Sequence, residues 1–154
     1  MSHPVVPLFI SKQLPVFAVV LSLSFFGQTQ AASLPTDDEQ EILIKTTLMT
    51  FNDANLTDNY TVLYDKSAKI FRDQMSAQKL TETFKVFREK KVNLESVVID
   101  DIDSSSKPKI DSDGVLQLKG RFKDDEKRIR FDLKYIQESG IWKMVDINVN
   151  YKEE

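Results

Sequence analysis

The chain has 154 residues, with 21 basic and 24 acidic side chains, a net charge of −3, no cysteine and a single histidine, His3. The lack of cysteine excludes disulfide stapling and thiol chemistry, so the fold must rest on its core. The acidic balance argues against nucleic acid as a partner, because phosphates call for a clustered positive surface, and the one local basic group, Lys127, Arg128 and Arg130, follows Asp124, Asp125 and Glu126.

The first stretch reads MSHPVVPLFISKQLPVFAVVLSLSFFGQTQAAS. Lys12 stands before an apolar run from Leu14 to Phe26 interrupted only by Ser22 and Ser24, and small residues follow at Gly27, Ala31, Ala32 and Ser33. Basic, then apolar, then small is the order of a cleavable secretory signal, expected over residues 1–32 with the cut between Ala31 and Leu34. The apolar run is shorter than the about 20 residues that span a bilayer, so no stable membrane insertion is expected after cleavage. Removing 32 of the 154 residues leaves 122 (33–154), the size of one ordinary domain, and the loss of Lys12 takes the net charge from −3 to −4. His3 leaves as well, so the domain has neither imidazole nor thiol. Cys or His relays and the usual structural zinc sites are thereby excluded, and neither a metal nor a cofactor is expected. A cysteine-free exported domain points to a bacterial envelope, periplasmic or secreted. Two glycosylation sequons, Asn55-Leu-Thr57 and Asn59-Tyr-Thr61, point the other way, although Asn and Thr beside a turn also have ordinary capping roles.

Thr36 with Glu39 three places later has the spacing of a capping box, and Ile44, Thr47, Leu48, Phe51 and Asn55 then recur at helical steps, which predicts a helix over about 37–56. Thr57, Asp58 and Asn59 supply turn chemistry, and Tyr60, Leu63 and Tyr64 give a short second helix its buried side. Ser76 is a cap for a third helix, SAQKLTETFKVFREKK, whose Leu80, Phe84 and Phe87 share one face. Beyond residue 91 the period changes from 3.6 to two. ESVVIDDID is expected as a first strand, and GVLQLKGRF, KRIRFDLKYIQ and GIWKMVDINVNY as three more, separated by turns that are charged or contain glycine. The segment IDSDG, residues 110–114, lacks the ligand count of a calcium loop and reads as a turn with Gly114 at positive φ.

In the third run Ile129, Phe131, Leu133 and Tyr135 share one face, and Arg128, Arg130, Asp132 and Lys134 the other. In the last run Ile141, Val145, Ile147, Val149 and Tyr151 repeat the apolar pattern, interrupted at Lys143. Without a bulge in that strand, Trp142 and Met144 face outward beside Ile136 and form a candidate interface. Helices first and a meander afterwards is the order of an α+β domain, with N-terminal helices packed on an antiparallel sheet of about four strands.

Three N-terminal helices, a long antiparallel sheet and a closing strand of the form Gly-Ile-Trp-Lys-Met-Val-Asp-Ile-Asn-Val resemble the nuclear transport factor 2-like superfamily over residues 37–151, the α+β cone shared with polyketide cyclases of the SnoaL kind and ketosteroid isomerases. The resemblance implies a curved sheet, a pocket between helices and sheet, and a homodimer through the outer sheet face. It also implies, for the enzymes of that group, a buried acid or histidine as base and a tyrosine or acid as proton donor, of which only carboxylate and phenol chemistry survives here. Tyr60, Tyr64 and Tyr135 are the candidate pocket residues, each able to hold a ligand's carbonyl or hydroxyl, or else to pack in the core. Asp53 and Asp65 are the acids nearest to them in sequence and the candidate bases if buried. Three functions remain open: a non-catalytic module that binds a small apolar ligand or a protein partner, an isomerase or cyclase using Asp and Tyr for proton transfer, and a structural or accessory subunit acting through the Trp142 face. A carboxylate within hydrogen-bond reach of a tyrosine would favour the second.

Overall fold

The computed structural model describes residues 32–104, 106–122 and 127–153, so the leader expected over residues 1–32 lies, except for Ala32, outside the described residues. Helix α1, Asp37–Thr57, starts where the sequence supplies its cap. The Thr36 N–H donates to Glu39 Oε2 at 2.7 Å and the Glu39 N–H to Thr36 Oγ1 at 3.3 Å, which satisfies two donors of the open helix end. Asp58 ends the helix in the left-handed region at φ +53°, its N–H donating to Ala54 O. The stripe Ile44, Leu48, Phe51 and Ala54 is buried, together with Asn52 and Asn55. Helix α2, Thr61–Lys66, buries Leu63 as expected.

Helix α3, Lys69–Gln74, has no counterpart in the sequence reading. It is little more than one turn, too short to show a period, and is anchored from afar: the Lys69 N–H donates to Glu138 Oε1 at 2.5 Å. The third expected helix is present from its Ser76 cap but divides into α4, Ala77–Thr83, and α5, Lys85–Glu89, at Phe84, where φ is −98° and ψ 17°. The break lets the Phe84 ring stack on Tyr60 at 6.0 Å while meeting Phe51 edge-on at 4.7 Å.

The expected first strand is corrected. Glu95–Val98 is a 3-10 turn, and only Ile102–Ser104 (β1) is extended. Asn93 starts the turn by accepting the Glu95 N–H on its side chain, and buried Asn52 Oδ1 accepts the Leu94 N–H at 2.8 Å, so these backbone groups are spent before a ladder can form. A two-residue strand β2, Lys109–Ile110, follows, then β3, Leu116–Phe122, β4, Lys127–Glu138, and β5, Ile141–Glu153. All pairings are antiparallel in the order β1-β3-β4-β5, with β2 sharing an edge of β3. Between β2 and β3, Asp111 Oδ1 accepts the N–H groups of Asp113 and Val115 at 2.9 Å, and Gly114 takes φ +78°, the expected turn. The described residues therefore form an α+β fold, with helices packed on an open antiparallel sheet.

The register of β4 with β5 decides what each face carries. Ile129, Phe131 and Leu133 pair with Tyr151, Val149 and Ile147, the expected apolar face against the helices. The pairing then shifts: Lys134 opposes Asp146 but Tyr135 opposes Met144, so Val145 is an extra residue in β5. Every side chain beyond the bulge changes face. Met144, 5% exposed, and Trp142 lie on the core side with Tyr135, whereas Ile141 stands 63% exposed. The expected outward set of Ile136, Trp142 and Met144 is thus split, because Ile136 pairs with Lys143 in the row opposite to that of Tyr135.

Candidate functional site

The three tyrosines do not converge. Tyr60, at the start of α2, is 1% exposed. Its hydroxyl donates to Asn55 Oδ1 and accepts from Arg88 Nη1 at 3.2 Å. Arg88 reaches it from α5, lies 5.7 Å over the ring centroid, and is held in turn by Asp58 Oδ1 at 3.0 Å. Burial pushes the Tyr60 phenol up, against the pull of the Arg88 hydrogen bond and charge, so it stays a neutral donor. Tyr64 is half-buried and points its hydroxyl to Arg72 O at 3.4 Å. Tyr135, on β4, is 1% exposed and meets Leu43 O at 3.1 Å and Thr47 Oγ1 at 3.0 Å on α1. Burial raises this phenol strongly as well, with the Thr47 hydrogen bond opposing.

Tyr60 and Tyr135 are therefore core residues with satisfied hydroxyls, each tying one helix to another element. Asp53 and Asp65 are exposed. The partners of the three hydroxyls, among the described residues, are an amide, a guanidinium, two backbone carbonyls and a threonine, so no carboxylate is in place to exchange a proton with a phenol. Asn55, the first sequon, is buried and donates through Nδ2 to Phe51 O at 2.9 Å, so it has no face for a glycan; Asn59 is exposed.

Aromatic rings pack against one another between helices and sheet. Phe51 meets Phe84 and Phe87 edge-on at 4.7 and 5.2 Å, and Phe122 packs on Phe131 at 5.6 Å. Space remains at the margins. A cleft of about 440 Å³ opens between α1, α2 and the β4–β5 turn. From the helices come Leu43, Thr46, Thr47, Thr50, Leu63 and Lys66; from the sheet come Tyr135 and the segment that the bulge reorients, Ile141 to Met144. Of the candidate residues, Tyr135 and two of the interface set, Trp142 and Met144, meet here, as a wall of the cleft rather than as an outer surface.

The residues that sequence reasoning missed are Arg88, Thr47 and Lys66. Thr47 had a visible signal, being a hydroxyl inside the apolar stripe of α1, where a buried acceptor needs a partner. A second cleft of about 420 Å³ lies between α3, α4 and β5, lined by Phe71, Leu80, Phe84 and Ile147 among others. The outer sheet face is polar: Lys119 pairs with Asp132 at 2.8 Å, Lys134 with Asp146 at 3.0 Å, and Arg121 with Asp103 at 2.7 Å.

The described residues include no helix long and apolar enough to cross a membrane. No family model matches the chain, and no curated protein sequence matches it.

Proposed function

We propose that the protein is an exported, non-catalytic module of the nuclear transport factor 2-like kind that works by binding a small apolar ligand or a protein partner. The observation that carries this reading is the state of the interior tyrosines. Tyr60 and Tyr135 are consumed by the core, with hydroxyls bonded to neutral or cationic groups, so the acid–phenol pair of the isomerase alternative lacks its base. Binding needs no such pair. The cleft beside Tyr135 offers an apolar floor with a few polar groups around it and falls within the roughly 300–1,000 Å³ usual for ligand sites. Export rests on the basic, apolar and small order of residues 12–33.

Native mass spectrometry of the protein recovered from the envelope fraction tests both parts. The expected species begins between residues 32 and 34 and carries a non-covalent adduct or a bound protein. An unprocessed N-terminus would sink export. A bare polypeptide without adduct or partner would sink binding.

A further inference from the structure

We infer that the cleft between α1, α2 and the β4–β5 turn takes a single-chain amphiphile with a monoanionic carboxylate head, the head on Lys66 and the apolar chain against Trp142. The inference rests on the binding reading above and narrows it to one ligand chemistry.

The charges around the cleft decide the head group. Two ammonium groups line it, Lys66 and Lys143. Lys143 is already neutralised by Glu138 Oε2 at 3.4 Å. Lys66 has no carboxylate partner among the described residues; its one hydrogen bond runs to Thr50 Oγ1 at 3.2 Å. The Thr50 hydroxyl donates its own proton to Thr46 O at 2.8 Å, so towards Lys66 it only accepts. The ammonium thus keeps N–H groups for an anion, in a direction set by Thr50. Among the described residues no carboxylate lines the cleft, and its one uncompensated positive charge matches one negative charge rather than two.

The walls decide the rest of the ligand. Leu43, Leu63, Met144 and Trp142 face the cleft, and the hydroxyls of Thr46 and Thr50 are spent on backbone carbonyls, which leaves their methyl groups for contact. Tyr135 likewise has its hydroxyl engaged by α1. These walls reward an apolar chain and present no polar pattern for a sugar or a peptide backbone to read.

Trp142 is the sole tryptophan of the chain, so its emission reports on this cleft alone. Purified full-length protein is titrated with decanoate and, separately, with decanol, in the wild type and in Lys66→Gln. The expected result is a saturable Trp142 shift with decanoate binding about tenfold more tightly than decanol, the size of one charge-assisted hydrogen bond, and loss of that preference in Lys66→Gln. Lys66 is exposed, so the variant keeps the fold. Equal affinity for the two probes in the wild type overturns the head-group inference but leaves a binding cleft. A preference that survives Lys66→Gln overturns the role of Lys66. If Trp142 answers to neither probe, the inference and the small-ligand reading fall together.

Discussion

Tyr60 shows how one hydroxyl can hold three elements. It sits at the start of α2, donates to Asn55 on α1 and receives Arg88 from α5, while Arg88 also pairs with Asp58 at the end of α1. Tyr60→Phe keeps the ring that stacks on Phe84 but leaves buried Asn55 Oδ1 without its donor. The expected loss is about 1–3 kcal/mol in urea unfolding, the cost of an unsatisfied buried acceptor. Glu138 is a second such residue. The Lys69 backbone N–H, helped by Lys143 and Arg72 and opposed by burial, holds its carboxyl below the usual carboxylate range. A depressed folded value means that the contact stabilises the fold above the ordinary value of 4.5, and that this contribution drains away as pH falls through the lower, folded value. Glu138→Gln should therefore flatten the acid limb of the unfolding midpoint against pH; an unchanged limb would contradict the anchor between α3 and the β4–β5 turn.

At the scale of elements, the bulge at Val145 governs the cleft. Ahead of it, β5 places Ile147, Val149 and Tyr151 in line with the apolar row of β4; behind it, Met144 and Trp142 are brought to that same side. The edge is held there by the Ala68 N–H, which donates to Met144 O at 2.8 Å. Deleting Val145 should remove the extra residue and leave strict alternation with Met144 and Trp142 still on the core side and Lys143 outward, since Met144 would then directly precede Asp146. The expected signature is a Trp142 emission close to that of the wild type. A red-shifted emission would mean that Trp142 had turned outward and would refute Val145 as the extra residue. The same strand explains how far the interface set was legible. Ile136, Trp142 and Met144 share a face only under unbroken period two; the interruption at Lys143 marks a break in that pattern, and the pairing with β4 places the extra residue at Val145. Phe84 carries a parallel lesson, since its i, i+4, i+7 spacing with Leu80 and Phe87 is that of an unbroken helix, whereas the folded chain breaks there with the ring against Tyr60 and Phe51.

Across the whole molecule, stability resides in the apolar layer and not in the charged outer face. Phe51 is fully buried and joins α1 to Phe84 and Phe87. Phe51→Ala should cost about 3–5 kcal/mol, a large share of the roughly 5–15 kcal/mol that a domain holds. Asp146→Asn, which breaks the exposed pair with Lys134, should cost no more than about 1 kcal/mol and less in high salt. Denaturant midpoints for the two variants check the contrast, and comparable losses would refute it. Caps and periods are written within a few neighbouring residues, and so the capped first helix, the order of helices before meander, and the inward row Ile129, Phe131, Leu133 and Tyr135 can be read from the chain alone. The 3-10 turn at Glu95–Val98, helix α3, the face of Trp142 and the separate fates of the three tyrosines are settled in the folded chain. Those features depend on contacts between residues far apart in the chain, Asn52 with Leu94, Lys69 with Glu138 and Ala68 with Met144, and no local pattern encodes which distant group will arrive to satisfy a backbone N–H.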